Sequence, residues 1–167
     1  MALSTRPDPL IADEPTTALD VTIQAQIVRL LQELQRSRGM SILLITHDLG
    51  IVNELSDRVA VMYAGRIVET GSRPELFRHA THPYTRGLLR SNPVLAAPGE
   101  RLPEIAGVVP SPEDWSPGCR FASRCRHCFE PCQAEVPGAT PVGEGHGVAC
   151  HSTGGLKPLG RLSGGGY

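Results

Sequence analysis

The 167-residue chain carries 16 basic and 17 acidic side chains, so its formal net charge is −1 at pH 7. Such a balanced charge gives nucleic acid no overall attraction, and we expect no nucleic-acid partner. No apolar run approaches the roughly 18 residues of a membrane-spanning helix, and residues 1–10 do not read as a signal peptide. We therefore expect a cytoplasmic protein. All five cysteines fall between Cys119 and Cys150, and clustered thiols in a reducing compartment favour metal binding over disulfides.

The first half of the chain predicts strands that alternate with helices. The apolar run "LIAD" and the run "MSILLIT" (40–46) are typical of strands buried on both faces. Between them, apolar residues recur at helical spacing from Ile23 to Leu34, with Asp20 as the N-cap and Gly39 as the stop. A short helix is predicted at 49–55. Strand, helix and strand form a parallel crossover unit, so the predicted fold class is α/β.

The remaining sequence divides by composition. "RVAVMYAGRIVETG" predicts a hairpin with its turn at Ala64-Gly65. Six prolines fall within 93–117, which predicts an extended connector. We therefore divide the chain into an α/β part (1–92), the connector (93–117), a cysteine module (118–151) and a flexible glycine-rich tail (152–167).

Polar groups follow both predicted parallel strands. Asp13 and Glu14 end the first strand, and His47 ends the second. Ligands of parallel sheets bind beyond the carboxyl ends of strands, so these groups should share one crevice. Their positions suggest that Asp13 binds Mg²⁺, Glu14 polarises an attacking water and His47 contacts a transferring phosphate. Taken singly, each feature could equally be a solvated turn or a helix cap.

Two segments together resemble a known family. "LIADEPTTALD" is similar to the Walker B segment and D-loop of ATP-binding-cassette (ABC) ATPases, and "LLITHD" is similar to their switch-histidine strand. The resemblance implies the C-terminal part of a P-loop nucleotide-binding domain that uses ATP and Mg²⁺. It makes Asp13 the magnesium aspartate, Glu14 the catalytic carboxylate, His47 the switch histidine and Asp20 the aspartate that reaches an opposing subunit.

"HPYTRGLL" (82–89) narrows the resemblance to ATPases of oligopeptide and dipeptide importers. The likeness covers about residues 1–151. It implies an ATP-hydrolysing subunit that energises peptide import, pairs with a second ATPase subunit and docks on transmembrane permease subunits at the inner face of the cell membrane.

Two parts of that family pattern are missing from the sequence. There is no phosphate-binding GxxxxGK[ST] loop, and no LSGGQ-type signature precedes Asp13. We therefore expect that the chain begins in mid-domain and that, alone, it binds nucleotide weakly and does not hydrolyse ATP. "LSGGG" near the C-terminus lies on the wrong side of the acidic pair and is interpreted as flexible tail.

The cysteine module spaces four thiols as C-x5-C-x6-C-x17-C: Cys119, Cys125, Cys132 and Cys150. Four loop-borne thiolates suit either zinc or an iron–sulfur cluster. The wide spacing favours a cluster, because its separate irons spread the ligands. The same pattern resembles the C-terminal extension of dipeptide-importer ATPases, which implies a [4Fe–4S] cluster. Cys128 lies outside the pattern as a spare thiol, and His151 could replace one thiolate.

A rival function remains open at this point. The chain could be a non-enzymatic metal-binding or redox module attached to a vestigial ATPase remnant. Genomic sequence upstream of the codon for Met1 would separate the two hypotheses, because an in-frame P-loop would favour the enzyme.

Overall fold

The computed structural model describes residues 9–93 and 102–153, which form two compact units that divide between Ser56 and Asp57. The predicted glycine-rich tail lies outside the described residues from position 154 onward, as do positions 94–101 of the predicted connector. In the described part of the chain, no helix combines the length and the apolar character that crossing a bilayer requires.

The first unit contains the predicted crossover. Its elements are β1 (Pro9–Asp13), α1 (Val21–Arg38), β2 (Ser41–Ile45) and α2 (Leu49–Leu55). The two strands pair in parallel, and Asp13 lies opposite Ile45 at their carboxyl ends. The mixed α/β class and the order of these elements are therefore as predicted.

Helix α1 has the ends that the sequence predicts. The Asp20 carboxylate accepts a hydrogen bond from the backbone N–H of Ile23 at 2.9 Å, which satisfies one free donor of the first turn. Gly39 ends the helix in the left-handed conformation, with φ of 62°, a conformation that glycine adopts without steric cost. The helix buries a stripe formed by Val28, Leu31 and Leu34.

The strands of this unit are less buried than predicted. Alternate side chains of β1 and β2 are half-buried, but the other face exposes Ile11 at 66%, Leu43 at 57% and Ile45 at 46%. The prediction of strands buried on both faces is thus not met within the described residues. An apolar run shows that both faces of a strand can be buried, but burial also requires another layer of structure that packs against each face.

The second unit begins with the predicted hairpin. Strands β3 (Arg58–Tyr63) and β4 (Arg66–Ser72) pair antiparallel. Ala64 and Gly65 both have positive φ, 47° and 76°, as a two-residue hairpin turn of the primed type requires. The predicted turn position is confirmed.

Two short helices follow the hairpin. They are α3 (Arg73–His79) and α4 (Pro83–Arg90). Ser72 caps α3 and His82 caps α4, and each helix has proline in its first turn, where the missing N–H costs nothing. Neither helix was assigned from the sequence, since seven or eight residues are too few for a clear helical period.

The cysteine module contributes α5 (Glu130–Ala134), β5 (Ala139–Gly143) and β6 (His146–Ala149). Strand β6 pairs antiparallel with β4, and the sheet order is β3-β4-β6-β5. The cysteine module therefore shares one sheet with the hairpin, although the composition of the sequence predicts that the two belong to separate parts of the chain. A four-residue strand with a glycine gives too little alternation to be seen in the sequence.

Candidate functional site

The carboxyl ends of β1 and β2 bring Glu14 and His47 together. The Glu14 backbone N–H donates to the Ile45 carbonyl at 2.8 Å, which continues the parallel ladder by one residue. Beyond it, Glu14 Oε1 lies 2.9 Å from His47 Nδ1. Both side chains are exposed, at 43% and 79% respectively. The structure thus places two of the predicted site residues in direct contact on a solvent-accessible edge.

The backbone at Glu14 is unusual. Its φ is +45°, a left-handed conformation that glutamate rarely adopts and that costs of order 1 kcal/mol or more. The tight turn that follows is closed by the N–H of Thr17 donating to the Glu14 carbonyl at 3.2 Å. Strain of this kind concentrates at functional sites, and Glu14 is also the residue whose carboxylate contacts His47.

Both oxygens of the Glu14 carboxylate have partners. The Thr17 hydroxyl donates to Oε2, and together with the contact to His47 it holds the pKa of Glu14 below its ordinary value. An ionised carboxylate only accepts hydrogen bonds, so Nδ1 of His47 must carry the proton between them. The carboxylate is therefore fixed in orientation, and it is better suited to orient a water than to remove a proton.

The other predicted acids are placed differently. Asp13 is exposed at the end of β1, next to Glu14. Asp20 is the N-cap of α1, so its side chain already has a structural role. Asp48 caps α2 through Gly50 and Ile51. The carboxyl edge of β1 and β2 therefore brings Glu14 and His47 together, and Asp13 precedes Glu14 at the end of β1.

The four predicted cysteine ligands line one narrow cavity, which we call the cysteine cavity. Its walls include Cys119, Cys125, Cys132 and Cys150, together with His82, Phe121, His127 and His151. Cys128 does not line it. The four thiols chosen by spacing thus line the same cavity, and their role as metal ligands stays a prediction. The cavity is small, about 10 Å³, so a bound metal group would require the thiols to rotate outward.

The thiols are not arranged around a single ion. In residues 9–93 and 102–153, no three histidine, cysteine or acidic side chains lie close enough to hold one metal ion. A zinc–sulfur distance of about 2.3 Å would hold tetrahedral thiolates only about 3.8 Å apart. The predicted metal site therefore has the right donors around one cavity, but no preformed coordination geometry.

Burial favours the protonated form of three of these thiols. It raises the pKa of Cys125 to about 11 and raises those of Cys119 and Cys150 as well, with the neighbouring thiols adding to the effect. Metal binding requires thiolates, so loading this cavity must release protons.

Next to the cavity lies a buried polar cluster that sequence reasoning missed. The Glu69 carboxylate accepts hydrogen bonds from the N–H groups of Thr81 and His82, at 2.7 and 3.0 Å, and contacts His146 Nε2 at 2.8 Å. The cluster joins β4, the start of α4 and β6. One member of this cluster, His82, belongs to the segment "HPYTRGLL", which was interpreted only as a resemblance to a family and not as a sign of a buried polar cluster. Burial lowers the pKa of His82 to about 4, so its ring is neutral at pH 7.

The parallel strand pair with its carboxylate–histidine contact, followed by an antiparallel hairpin, is consistent with the C-terminal part of an ABC-type ATPase. Comparison with known proteins narrows this class. Residues 68–132 match the family described as "Oligopeptide/dipeptide transporter, C-terminal region".

Curated relatives match most of the chain. A putative peptide import ATP-binding protein of Brucella ovis is 54% identical over 156 residues, which are 90% of this chain and 46% of that protein. The dipeptide transport ATP-binding proteins DppD of Bacillus subtilis and Escherichia coli are 52% and 49% identical over 90% of this chain, and the matches cover 45% and 46% of those proteins. The chain thus spans about half the length of the curated relatives it matches.

Residues 68–132 thus carry the C-terminal region of the oligopeptide/dipeptide transporter family, and 90% of the chain is similar to proteins named as peptide import or dipeptide transport ATP-binding proteins. The rival hypothesis of a non-enzymatic metal module receives no support, since the relatives described above are all named as ATP-binding proteins.

Proposed function

We propose that this chain is part of the ATP-hydrolysing subunit of an ABC importer for peptides. The observation that carries the proposal is the 2.9 Å contact between Glu14 and His47 at the carboxyl edge of β1 and β2. The relatives add the substrate class, because their names describe peptide import and dipeptide transport.

The residues at this edge suit phosphoryl transfer, which depends mainly on positioning and on charge neutralisation. Bound with ATP, Mg²⁺ neutralises charge on the phosphates, and Asp13 in its Walker B position is the residue proposed to hold it. Glu14, fixed by Thr17 and His47, orients the attacking water. His47 donates from Nδ1 to Glu14, and with a second proton on Nε2 the same ring would also donate to an oxygen of the transferring phosphate.

The proposed partners follow from the same assignment. Asp20 would reach a second ATPase subunit while it caps α1, and transmembrane permease subunits would hold the complex at the inner face of the cell membrane. Both roles of Asp20 are compatible with its geometry, since the backbone N–H of Ile23 donates to one of its two carboxylate oxygens, Oδ1.

The test uses this chain joined to the part of the Bacillus subtilis relative that lies outside the match. Glu14→Gln should abolish ATP hydrolysis and preserve ATP binding, because it removes a charge without removing Asp13. His47→Ala should slow hydrolysis by roughly two to four orders of magnitude.

The matched control is Glu54→Gln. Glu54 is an exposed carboxylate of the same unit that accepts a bond from Gln32 at 3.2 Å, and its variant should hydrolyse ATP normally. Near-normal turnover of the Glu14 or His47 variant would remove the role assigned to that residue. The isolated chain, whose sequence contains no P-loop, should show no hydrolysis above background.

We also propose that the cysteine cavity holds a [4Fe–4S] cluster, with Cys119, Cys125, Cys132 and Cys150 as ligands. The support is the donor set, since these four thiols line one cavity that excludes Cys128. A cubane needs one outer ligand for each of its irons, and it spreads those ligands more widely than a single ion does. Zinc is the alternative.

Metal analysis separates the two metals. Anaerobically purified chain should be brown and contain about four irons, whereas the zinc alternative predicts a colourless protein with one metal ion. Serine at any of the four ligand positions should lower the iron content, and Cys128→Ser is the matched control that should not. Iron loss in the Cys128 variant but not in Cys132→Ser would overturn the ligand set.

A further inference from the structure

His82 is held rigidly at the wall of the cysteine cavity. The residue is only 1% exposed. Its backbone N–H donates to Glu69 Oε2 at 3.0 Å, and its ring Nδ1 accepts a hydrogen bond from the backbone N–H of Tyr84 at 3.1 Å. The first bond fixes the main chain and the second fixes the ring as the N-cap of α4. The ring therefore has little freedom to turn.

The capping bond also fixes which ring nitrogen carries the proton. A nitrogen that accepts a hydrogen bond cannot carry a proton, so in the neutral ring the proton is on Nε2. Nε2–H is then the one polar group of the ring that can donate. The same ring lines the cavity together with all four predicted thiol ligands.

We propose that His82 is a hydrogen-bond donor to the sulfur atoms of a cluster bound in the cysteine cavity, and that it thereby tunes the reduction potential. The inference rests on the proposed [4Fe–4S] cluster and adds a role for a residue outside its ligand set. Hydrogen bonds to sulfur are one of the means by which a protein sets the potential of such a cluster. Because reduction adds negative charge, a fixed N–H donor stabilises the reduced form more than the oxidised form.

Two variants separate the two nitrogens of the ring. His82→Asn keeps the cap and removes the donor, because asparagine is a strong N-cap whose side chain is too short to donate into the cavity. The longer carboxamide of His82→Gln can place an N–H near the Nε2 position, but glutamine is a poor N-cap. Thr85→Val is the control on the same helix, because the buried Thr85 hydroxyl has no hydrogen-bond partner in the described residues and does not line the cavity.

The experiment is a mediated redox titration of anaerobically prepared full chain, with iron analysis and thermal melting of each variant. His82→Asn should retain its iron, whereas its melting temperature should fall because asparagine fills less of the buried site. Its ratio of reduced to oxidised cluster at a fixed potential should fall about tenfold, the effect of one hydrogen bond to a charged group, which is a shift of about 59 mV for a one-electron couple. His82→Gln should melt lower but keep a potential near that of wild type, and Thr85→Val should keep the wild-type potential.

A second measurement tests the wild-type protein directly. In wild-type protein labelled with ¹⁵N-histidine, pulsed electron paramagnetic resonance of the reduced cluster should detect a weakly coupled histidine nitrogen, and His82→Gln should remove that signal. An unchanged potential in iron-loaded His82→Asn, or no histidine coupling in iron-loaded wild type, overturns the role of His82 and leaves the cluster proposal standing. Wild type that binds no iron overturns both.

Discussion

Among the residues that the structure describes, each unit contains one histidine–glutamate contact, and the main difference between the two contacts is burial. In the first unit His47 lies 2.9 Å from Glu14, with side chains 79% and 43% exposed. In the second unit His146 lies 2.8 Å from Glu69, with side chains 2% and 0% exposed. Nearly equal distances therefore serve opposite purposes: the exposed pair is accessible to a ligand, whereas the buried pair holds strands together.

The rest of each unit follows the same contrast. All the largest side chains that are less than 2% exposed belong to the second unit; they are Leu76, Leu89, His82, Glu69, Val148 and Thr85. The first unit instead exposes one face of its strand pair. Two members of this set, Glu69 and His82, are hydrogen-bonded polar residues, so the second unit depends on buried hydrogen bonds as well as on apolar contact.

The largest expected effect is on the buried pair. Glu69→Gln replaces an acceptor-only group by one with an N–H₂ that faces donors from Thr81, His82 and His146. We expect a loss of about 3 kcal/mol of unfolding free energy, typical of breaking a buried pair from one side. Trp115, the single tryptophan of the chain, lies in the second unit and reports its denaturant unfolding by fluorescence.

Glu14→Gln is the matched control for this comparison, and it should leave the stability of its own unit nearly unchanged, because exposed pairs contribute little. Equal destabilisation of both units by the two substitutions would show that burial does not separate the pairs.

The sequence predicted the first unit well for a physical reason. Helix α1 is long enough to show a helical period, and each strand stands out as an unbroken apolar run. Asp20 and Gly39 mark the ends of α1 by chemistry that acts within a few residues. What the sequence did not predict is burial. Whether Ile11 or Leu43 is covered depends on a neighbouring layer and not on the strand's own pattern.

In the second unit, the sequence singled out the cysteines but predicted neither the strand pairing nor the buried polar cluster. The four cysteines singled out by their spacing line one cavity, and they could be singled out because residue type and spacing can be recognised without knowledge of the fold. The pairing of β4 with β6 and the burial of Glu69 left no comparable signal. A lone glutamate in a strand usually lies on a solvent-exposed face. Glu69 can be buried because Thr81, His82 and His146 donate hydrogen bonds to its carboxylate.

An intermediate effect is expected at the start of α1. Asp20→Ala removes the acceptor for the N–H of Ile23 and should cost about 1 kcal/mol, measured by urea unfolding followed by circular dichroism. Asp20→Asn retains a capping oxygen and is the control, with stability close to wild type. If Asp20→Ala were as stable as Asp20→Asn, the hydrogen bond from Ile23 to Asp20 would contribute nothing to the free energy of unfolding. The proposed partner contact would then be the remaining role of the Asp20 side chain.

The smallest expected effect concerns the exposed pair, where the pKa of Glu14 is held below its usual 4.5 by the Thr17 hydroxyl first and by His47 second. A carboxyl with a lowered pKa in the folded state binds fewer protons there than in the unfolded chain. The stability it contributes is therefore complete above the unfolded pKa and is lost as pH falls through the folded value. Thr17→Val should raise the pKa of Glu14 towards its usual value, and His47→Gln should raise it by less. Carbon-13 NMR titration of the Glu14 carboxyl in the isolated chain measures both shifts, and an unchanged pKa in Thr17→Val would mean that the hydroxyl does not fix the carboxylate.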